Sequence, residues 1–359
     1  MEEFNLHPKE QPRKLGPYFL SSVDLADYLA NDVVSYCSHD LNQIVLNPLN
    51  NFTNTTSNLF RARLVELSVS LCSSKSLVFT RQFQKEISQK LSKLVEGLHA
   101  GSLIIDDIQD GASSRRGQAS LHTEIGAPLA INSGSLLYFW ALSLIEKMEL
   151  DPNVEVDLTR LCHLTMIKGH LGQALDLGIR IDEVAQQKAR EISISALRLK
   201  TGTLTSLATE LGAVICGVHP EVRDALKNFG VDFGFALQSF NDLGEYSLSS
   251  KNVSQDLILG RPSWVWVCAS EYLSLAEYQE FKETVYRIRS SDSIIQEKIM
   301  LELKKHPLLV FAKSQARKLM ADSFQKLSDR LLKFDYELSD RADWKKLQIL
   351  GQKVTETYV

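Results

Sequence analysis

Two clusters of acidic residues stand at the ends of apolar, helix-like stretches, and their spacing could support metal chemistry. In the first cluster, Asp106, Asp107 and Asp110 follow the segment LSKLVEGLHAGSLII. Asp106 and Asp110 are four residues apart, so on a helix both carboxylates point to the same side and together could bind a hard cation such as Mg²⁺. An isolated motif of this kind is about as often a solvated acidic face as a metal site.

The second cluster consists of Asn241, Asp242 and Glu245, which close the segment FGVDFGFALQSF. The apolar residues of this segment also recur at helical spacing. We expect the two apolar helices to face one another across a pocket. A group of about three Mg²⁺ ions there would bind a diphosphate and withdraw charge as its C–O bond breaks.

Basic and hydroxyl side chains elsewhere could complete a diphosphate site. Taken alone, each of them is more often a surface residue than a ligand, and they gain weight only by occurring together. The candidates are Arg115, Arg116, Lys200, Thr201, Lys251 and Arg261.

Composition indicates the elements that position these residues. With only 18 glycines and 9 prolines in 359 residues, the chain has few turn formers and should be mostly helical. A net charge of −4 argues against a nucleic-acid-binding protein, and a hydrophobic content of 44% easily supplies a core.

Apolar periodicity predicts helices near 60–73, 80–110, 127–149, 154–179, 185–217, 220–246, 256–272, 275–289, 293–304, 308–335 and 340–356. The run NPLNNFTNTTSN is rich in turn formers and is predicted to be a loop.

The chain shows no linker and no internal repeat, so we predict a loose N-terminal arm over 1–20 and a single all-helical domain over 21–359. No apolar run is long enough to span a bilayer, and the polar N-terminus is unlike a secretory signal. The five cysteines show no metal-binding spacing and are expected to be buried free thiols. We therefore expect a soluble, cytoplasmic protein.

The ordered motifs HAGSLIIDDIQD, RRGQ, GAPLAINSG, GQALDL, LKTGTLTSLATELGA, FGFALQSFND and DLILGRP resemble those of the trans-isoprenyl diphosphate (polyprenyl) synthases. The resemblance covers roughly residues 55 to 335 and is far more specific than any single motif. It implies an all-α isoprenoid synthase fold, a helical bundle around a central apolar cavity. It also implies a homodimer that binds a prenyl diphosphate through Mg²⁺.

The resemblance also implies roles for individual residues. Metal ligands would be Asp106, Asp110, Asn241, Asp242 and Glu245, with Gln238 in support. The allylic diphosphate would be held by Arg115, Lys200, Lys251 and Arg261. For a second substrate, isopentenyl diphosphate, the matching residues are Arg63, His99 and Arg116.

Departures from the family pattern carry information about the reaction. Where chain-elongating members have Gly-Gly-Lys, this chain has Asn58-Leu59-Phe60, so an ammonium group has become an aromatic ring. A lost charge-assisted contact of this kind costs about 1.5–3 kcal/mol of diphosphate binding. Arg61 is next in sequence and is expected to point elsewhere. Asn241 and Arg261 also replace the family's usual Asp and Lys.

These departures favour a class I terpene synthase on a polyprenyl-synthase scaffold, similar to the fungal humulene synthases. Such an enzyme would ionise farnesyl diphosphate and cyclise it to a sesquiterpene in a dry chamber. Gly101 and Ser102 are small and should leave the cavity deep, and Phe139 and Phe240 are candidates to line it. The alternatives are a chain-elongating farnesyl or geranylgeranyl diphosphate synthase and a non-catalytic regulatory subunit.

Overall fold

The structure, a computed structural model, describes residues 37–56, 59–73, 80–115, 117–246, 254–336, 338 and 341–357, and these are almost entirely helical. The predicted all-α class is confirmed. The predicted N-terminal arm, Asn58, Arg116 and Lys251 lie outside the described residues. None of the helices within the described ranges is both long and apolar enough to cross a membrane.

The described residues form two compact units. The first contains the described residues up to Arg160 together with Val214–Cys216, and the second contains Leu161–Ala213 and the described residues from Gly217 onward. The single domain predicted over 21–359 stays a prediction.

The described part of the chain begins with α1 (Ser38–Leu41), a π-helical turn (Asn42–Leu46), α2 (Asn47–Thr56) and α3 (Phe60–Ser73). Next come the long helix α4 (Arg81–Gln109), a small antiparallel hairpin of β1 (Ser114–Arg115) and β2 (Gln118–Ala119), α5 (Leu121–Ile125) and α6 (Ala127–Ser143). A 3₁₀ turn (Glu146–Met148) precedes α7 (Pro152–Gly178).

A second 3₁₀ turn (Ile181–Glu183) leads to α8 (Gln186–Leu197), which continues through a π-helical segment (Arg198–Gly202) into α9 (Thr203–Cys216). The rest of the chain comprises α10 (Pro220–Gly244), α11 (Gln255–Leu259), α12 (Trp264–Tyr272), α13 (Leu275–Ser290), α14 (Ser293–Leu303), α15 (Pro307–Leu332) and α16 (Ala342–Thr357).

In the first unit, α4 packs against α3 and α6, and small residues bring α4 close to α6. A Cβ on Gly97 would lie 2.9 Å from the ring of Trp140, and one on Gly101 would lie 2.8 Å from the carbonyl oxygen of Gly134. In the second unit, α10 packs on α15 through an aromatic cluster, in which the ring centroids of Phe229 and Phe324 are 5.2 Å apart. Close helix contacts therefore form the core of each unit.

The predicted loop over 47–58 is wrong for most of its length, because Asn47–Thr56 is helical. Leu46, Leu49 and Phe52 are buried at helical spacing, and burial of this apolar stripe outweighs the poor helix propensity of the asparagines and threonines. The helix predicted over 256–272 is interrupted, since Gly260 adopts a left-handed conformation (φ +66°) and ends α11.

Candidate active site

The first acidic cluster lies at the C-terminal end of α4, where adjacent carboxylates face different surroundings. Thr80 caps the start of this helix by accepting a hydrogen bond from the Phe83 N–H. The apolar face of the helix is buried along its length. Because neighbouring helical residues are rotated by about 100°, Asp106 and Asp107 diverge. The side chain of Asp106 is 20% exposed, whereas that of Asp107 is only 2% exposed.

Arg115 lies on β1 and is held by this cluster. Its Nε donates to both carboxylate oxygens of Asp107, at 2.8 and 2.9 Å, and its Nη2 is 3.4 Å from Asp106 Oδ2. Burial lowers the pKa of Arg115, but the hydrogen bond to Asp107 and the nearby negative charges outweigh it and raise that pKa above its ordinary value. Asp107 therefore positions a predicted diphosphate ligand, a role that sequence analysis did not assign to it.

The predicted cavity residues of α4 and α6 are arranged differently from expectation. Gly101 lets α6 lie directly against α4, because an added Cβ would come within 2.9 Å of the Tyr138 ring. Burial and the charge of Asp106 raise the pKa of Tyr138 to about 12, so this aromatic side chain lies near the first aspartate. Phe139 is 73% exposed, which contradicts the prediction that it lines an interior cavity. Its neighbours on α6 face the core, and Phe139 falls on the opposite side of the helix.

A cationic group lies where α3 meets α4. Nη1 of Arg61 is 2.8 Å from Nε2 of His99, so the expectation that Arg61 points away is wrong. Arg61 is in the first turn of α3, and its long side chain reaches across to α4. Glu96, one turn before His99, is buried and accepts the backbone N–H of Ala62 at 3.0 Å, which fixes the start of α3. Arg63 is half-buried on the same turn.

The second acidic cluster, in the second unit, closes α10. Asn241 is exposed, whereas Asp242 is buried and accepts two hydrogen bonds. One comes from Gln238 Nε2 at 2.7 Å and the other from the backbone N–H of Trp264, also at 2.7 Å. Thr201 in turn donates to Gln238 Oε1 at 2.8 Å. Gln238 thus connects the predicted ligands Thr201 and Asp242, and Phe240 of the same helix is fully buried.

Several carboxyl groups are buried together around Asp242. Burial raises the pKa of Asp242 to about 7, and the charges of Glu245 and Asp176 add to that effect. The pKa of Asp256 lies well above its ordinary range, first because of burial and then because of Asp242, Glu245 and Asp176. Asp256 was not among the predicted site residues, although it opens the DLILGRP motif.

Lys200 and Arg261 converge on Asp176, the aspartate of the GQALDL motif. Lys200 Nζ is 3.0 Å from Asp176 Oδ2, and Arg261 Nη1 donates to the Asp176 backbone oxygen at 2.9 Å. The side chain of Lys200 is 33% exposed and therefore remains accessible to a ligand. The sequence alone indicates no separate role for Asp176 within this motif, because its partners come from distant parts of the chain.

The π-helical segment Arg198–Gly202 explains the placement of Lys200 and Thr201. One extra residue in the turn shifts these side chains relative to a regular α-helix, and such bulges are frequent at functional sites. α7 approaches this segment closely, since a Cβ on Gly172 would lie 2.5 Å from the Lys200 backbone nitrogen.

A seam of glycine and threonine residues joins α9 to α10. Thr209 Oγ1 donates to the Leu226 carbonyl at 2.8 Å, and Ser206 Oγ donates to the Lys227 carbonyl at 2.9 Å. Cβ atoms on Gly230 or Gly234 would collide with the hydroxyls of Thr209 and Thr205. This seam fixes Thr201 and the start of α9 against the helix that carries Asp242.

The donor set around Asp242 suits a hard cation. The buried carboxyl groups are crowded, and Glu245 Oε2 is a buried oxygen with no hydrogen-bond partner among the described residues. Within those residues, no three His, Cys, Asp or Glu side chains are close enough to bind a metal by themselves. Mg²⁺ commonly keeps several waters and takes only one or two carboxylates together with substrate phosphates, so the residues fit this ion.

Comparison with known proteins gives a consistent result. The family model "Polyprenyl synthetase" matches residues 42–302. The short chain isoprenyl diphosphate synthase of Methanocaldococcus jannaschii is 27% identical over 209 residues, covering 57% of this chain and 62% of that protein. The geranylgeranyl pyrophosphate synthase of Geoglobus acetivorans is 29% identical over 182 residues, covering 49% and 56%. The match thus spans about three fifths of the length of these relatives.

Solved structures agree on the architecture. The crystal structure of geranylgeranyl pyrophosphate synthetase from Pyrococcus horikoshii matches with a TM-score of 0.68. The match covers 89% of this chain and 94% of that one at 19% sequence identity. A likeness at this identity establishes a shared fold.

Proposed function

Since the chain belongs to the polyprenyl synthetase family and has the all-α isoprenoid synthase fold, we propose that it is a chain-elongating prenyl diphosphate synthase. Such a prenyltransferase joins isopentenyl diphosphate to an allylic prenyl diphosphate. The proposal replaces the terpene cyclase favoured in the sequence analysis, because the relatives are named as prenyl diphosphate synthases.

The contact between Arg61 and His99 is the observation that carries this proposal. The cyclase hypothesis depended on the loss of a lysine ammonium group at Phe60. The Arg61 guanidinium, 2.8 Å from Nε2 of His99, supplies a positive charge beside one of the predicted isopentenyl diphosphate ligands. A guanidinium also binds phosphate in a bidentate manner. A second anionic substrate is therefore supported in spite of the departure at Phe60.

The allylic diphosphate would be bound by Lys200 and Arg261, which are already oriented by Asp176. Asp106, Asp110, Asp242 and Glu245 are the proposed Mg²⁺ ligands. When bound, Mg²⁺ would neutralise the charge that develops on the departing diphosphate. Arg115, held by Asp107, would add positive charge at the first cluster. That the two clusters act on one diphosphate remains a prediction from the sequence.

Terpene cyclisation is the second candidate, because two features of the chain favour it. Phe60 still stands where elongating enzymes have lysine, and Asn241 removes one negative charge from the second acidic cluster. An aromatic ring can stabilise a carbocation through its negative face. Farnesyl diphosphate is the substrate that this second reading predicts.

One assay distinguishes these functions. The purified chain is incubated with Mg²⁺ and with dimethylallyl, geranyl, farnesyl or geranylgeranyl diphosphate, each with and without isopentenyl diphosphate. Chain elongation yields a longer linear diphosphate only when isopentenyl diphosphate is present. A hydrocarbon formed from one allylic substrate alone would instead support the cyclase, and no turnover in any mixture would favour a regulatory subunit.

Variants make the assay specific to the proposed isopentenyl diphosphate site. Arg61→Met should raise the KM for isopentenyl diphosphate about tenfold, the loss expected for one charge-assisted contact. Phe60→Lys should lower that KM. Arg160→Met, which removes an exposed arginine of the first unit, is the matched control and should leave it unchanged. An unchanged KM in Arg61→Met would contradict the role given to Arg61.

A homodimer is also proposed, by analogy with the family. α7 carries an exposed apolar stripe, Leu164, Ile167 and Leu171, each more than half exposed at three- and four-residue spacing. Large apolar side chains grouped in this way are typical of interfaces between subunits.

A further inference from the structure

The turn that carries Arg261 is docked against the segment that follows α7. Two hydrogen bonds hold the two together. Arg261 Nη1 donates to the Asp176 carbonyl at 2.9 Å, and the Ile181 N–H donates to the Gly260 carbonyl at 2.9 Å. Gly260 also lies so close to Asp182 that an added Cβ would be 2.5 Å from Asp182 Oδ1. The 3₁₀ turn that contains Ile181 and Asp182 therefore anchors the Gly260 turn.

Asp182 is itself fixed by two arginines. Its side chain is only 6% exposed, and it accepts from Arg289 Nη1 at 2.8 Å and from Arg180 Nη2 at 2.9 Å. Arg289 belongs to α13, whereas Arg180 immediately precedes the 3₁₀ turn that contains Asp182. The carboxylate thus links α13 to the 3₁₀ turn, whose Ile181 N–H bonds to the Gly260 turn.

We propose that the buried Asp182–Arg289 ion pair is a positioning element for the diphosphate-binding residue Arg261. The inference rests on the proposed function, which assigns Arg261 to the allylic diphosphate. Asp182 is not itself a proposed ligand. It fixes the 3₁₀ turn whose Ile181 N–H holds the Gly260 carbonyl, and the Gly260 turn aims Arg261 at Asp176.

Position matters here because a guanidinium binds diphosphate well only in one orientation. Without the ion pair the 3₁₀ turn can shift, and the Gly260 turn, which is bonded to it through Ile181, shifts with it. Arg261 would then sample several orientations, and binding would weaken although the cation itself remains. The expected signature is a loss of affinity for the anion with little loss of the rate of the chemical step.

The test compares Asp182→Asn, Arg289→Met and Arg289→Lys with the full-length wild-type chain. Calorimetric titration with pyrophosphate in the presence of Mg²⁺ reports the anion site directly, and steady-state kinetics report KM and kcat for the allylic diphosphate. Asp182→Asn and Arg289→Met should each weaken pyrophosphate binding and raise KM about tenfold, with kcat changed less than about threefold. Arg289→Lys keeps the positive charge and should recover most of the affinity.

Two comparisons separate positioning from general stability. Glu210 and Arg223 form a comparably buried ion pair at 2.8 Å that joins α9 to α10 instead, so Glu210→Gln should lower stability but leave pyrophosphate affinity unchanged. In an Arg261→Met background, Asp182→Asn should add no further loss, because Asp182 acts through Arg261. A full additional loss in that background would overturn the proposal.

The remaining outcomes are distinct. If Asp182→Asn binds pyrophosphate as tightly as the wild type, the positioning role is wrong whatever the chain's activity. If the wild type binds pyrophosphate but elongates no substrate, only the proposed function fails. If the wild type binds no pyrophosphate in the presence of Mg²⁺, both are wrong.

Discussion

Asp106 and Asp107 are adjacent in sequence but have different surroundings, because consecutive residues of a helix point in different directions. Asp107 is almost fully buried and holds Arg115 through both of its oxygens. Asp106 is partly exposed, and its distance to the same arginine is longer, 3.4 Å. The first residue is suited to fixing structure, and the second is suited to meeting a ligand.

Substitution should separate these two roles. Asp107→Asn removes the charge that holds a partly buried guanidinium, and we expect it to lower the free energy of unfolding by about 2–4 kcal/mol. Asp106→Asn should cost less than about 1 kcal/mol of stability, since its ion pair is longer and more exposed, yet it should abolish turnover. Urea denaturation measures the first effect, and the elongation assay measures the second.

The matched pair also defines what would contradict this assignment. If Asp106→Asn destabilises the chain as much as Asp107→Asn, the two carboxylates share the structural role. If Asp106→Asn retains full activity, it is not a metal ligand.

Thiol reactivity offers a test of burial that depends on pH. Burial raises the pKa values of Cys162 and Cys216 to about 12. At pH 8 such thiols are ionised in roughly one molecule in ten thousand, and the thiolate is the reactive form. The expectation that all five cysteines are buried is wrong for Cys37, which is exposed, so this thiol should react quickly with Ellman's reagent in the native protein. Cys37→Ser should remove this fast phase. If the variant still reacts at the same fast rate, the other four cysteines are not protected by burial.

Single-residue chemistry could be predicted from sequence only in part. The types and spacing of Asp106, Asp110 and Asp242 indicated both acidic clusters. The roles of Asp107 and Asp176 could not be predicted. Asp107 holds Arg115 across a turn whose path the sequence does not show, and Asp176 meets Lys200 and Arg261 from distant segments. Arg61 was misjudged for the same reason, since helical rotation alone does not show how far a flexible side chain reaches.

Among the elements, the π-helical segment Arg198–Gly202 is the one whose shape bears most directly on the site. α7 supports it at Gly172, where a Cβ would lie 2.5 Å from the Lys200 nitrogen and 2.7 Å from Leu199 Cβ. The absence of a side chain at Gly172 is therefore what lets the two segments approach.

Gly172→Ala should push the π-helical segment away from α7. We expect a loss of about 1–3 kcal/mol in the free energy of unfolding from overpacking, together with weaker binding of pyrophosphate with Mg²⁺ as Lys200 moves. Gly169→Ala is the control in the same helix, because nothing lies within 4 Å of its Cβ position. It should instead stabilise the chain by about 0.5–1 kcal/mol. Equal effects of the two variants would show that the close approach at Gly172 is unimportant.

Helices with long apolar faces were predictable, whereas a short helix built largely from turn-forming residues was not. α4 and α10 have long apolar faces, and their predicted bounds agree closely with the structure. α2 has a weak helical sequence and is stabilised by the burial of Leu49 and Phe52, which composition does not reveal. The hairpin at Arg115 is too short to leave a periodic pattern.

At the scale of the whole molecule, the fold followed from composition and motif order, but the reaction did not. Under the proposed function, binding of a second diphosphate depends on a few cations such as Arg61. The placement of Arg61 against His99 is not captured by any compositional measure.

Assembly can be tested on the exposed stripe of α7. Ile167 is 57% exposed and lies between Leu164 and Leu171, so Ile167→Glu should place charge within the proposed interface and yield monomers. Val310→Glu alters a single apolar side chain on α15 that is 71% exposed, and it should leave the assembly unchanged. Light scattering after size exclusion gives the mass of each. A monomeric wild type, or an unaltered mass in Ile167→Glu, would contradict the proposed interface.

The glycine–threonine seam between α9 and α10 limits how a chain of this kind can diversify over generations. A threonine hydroxyl already fills the space that a Cβ would need at Gly230 or Gly234. Replacing either glycine by any other residue would therefore force the two helices to move. Sequence changes that alter specificity are therefore expected in the surrounding helices, while α9 and α10 keep their register.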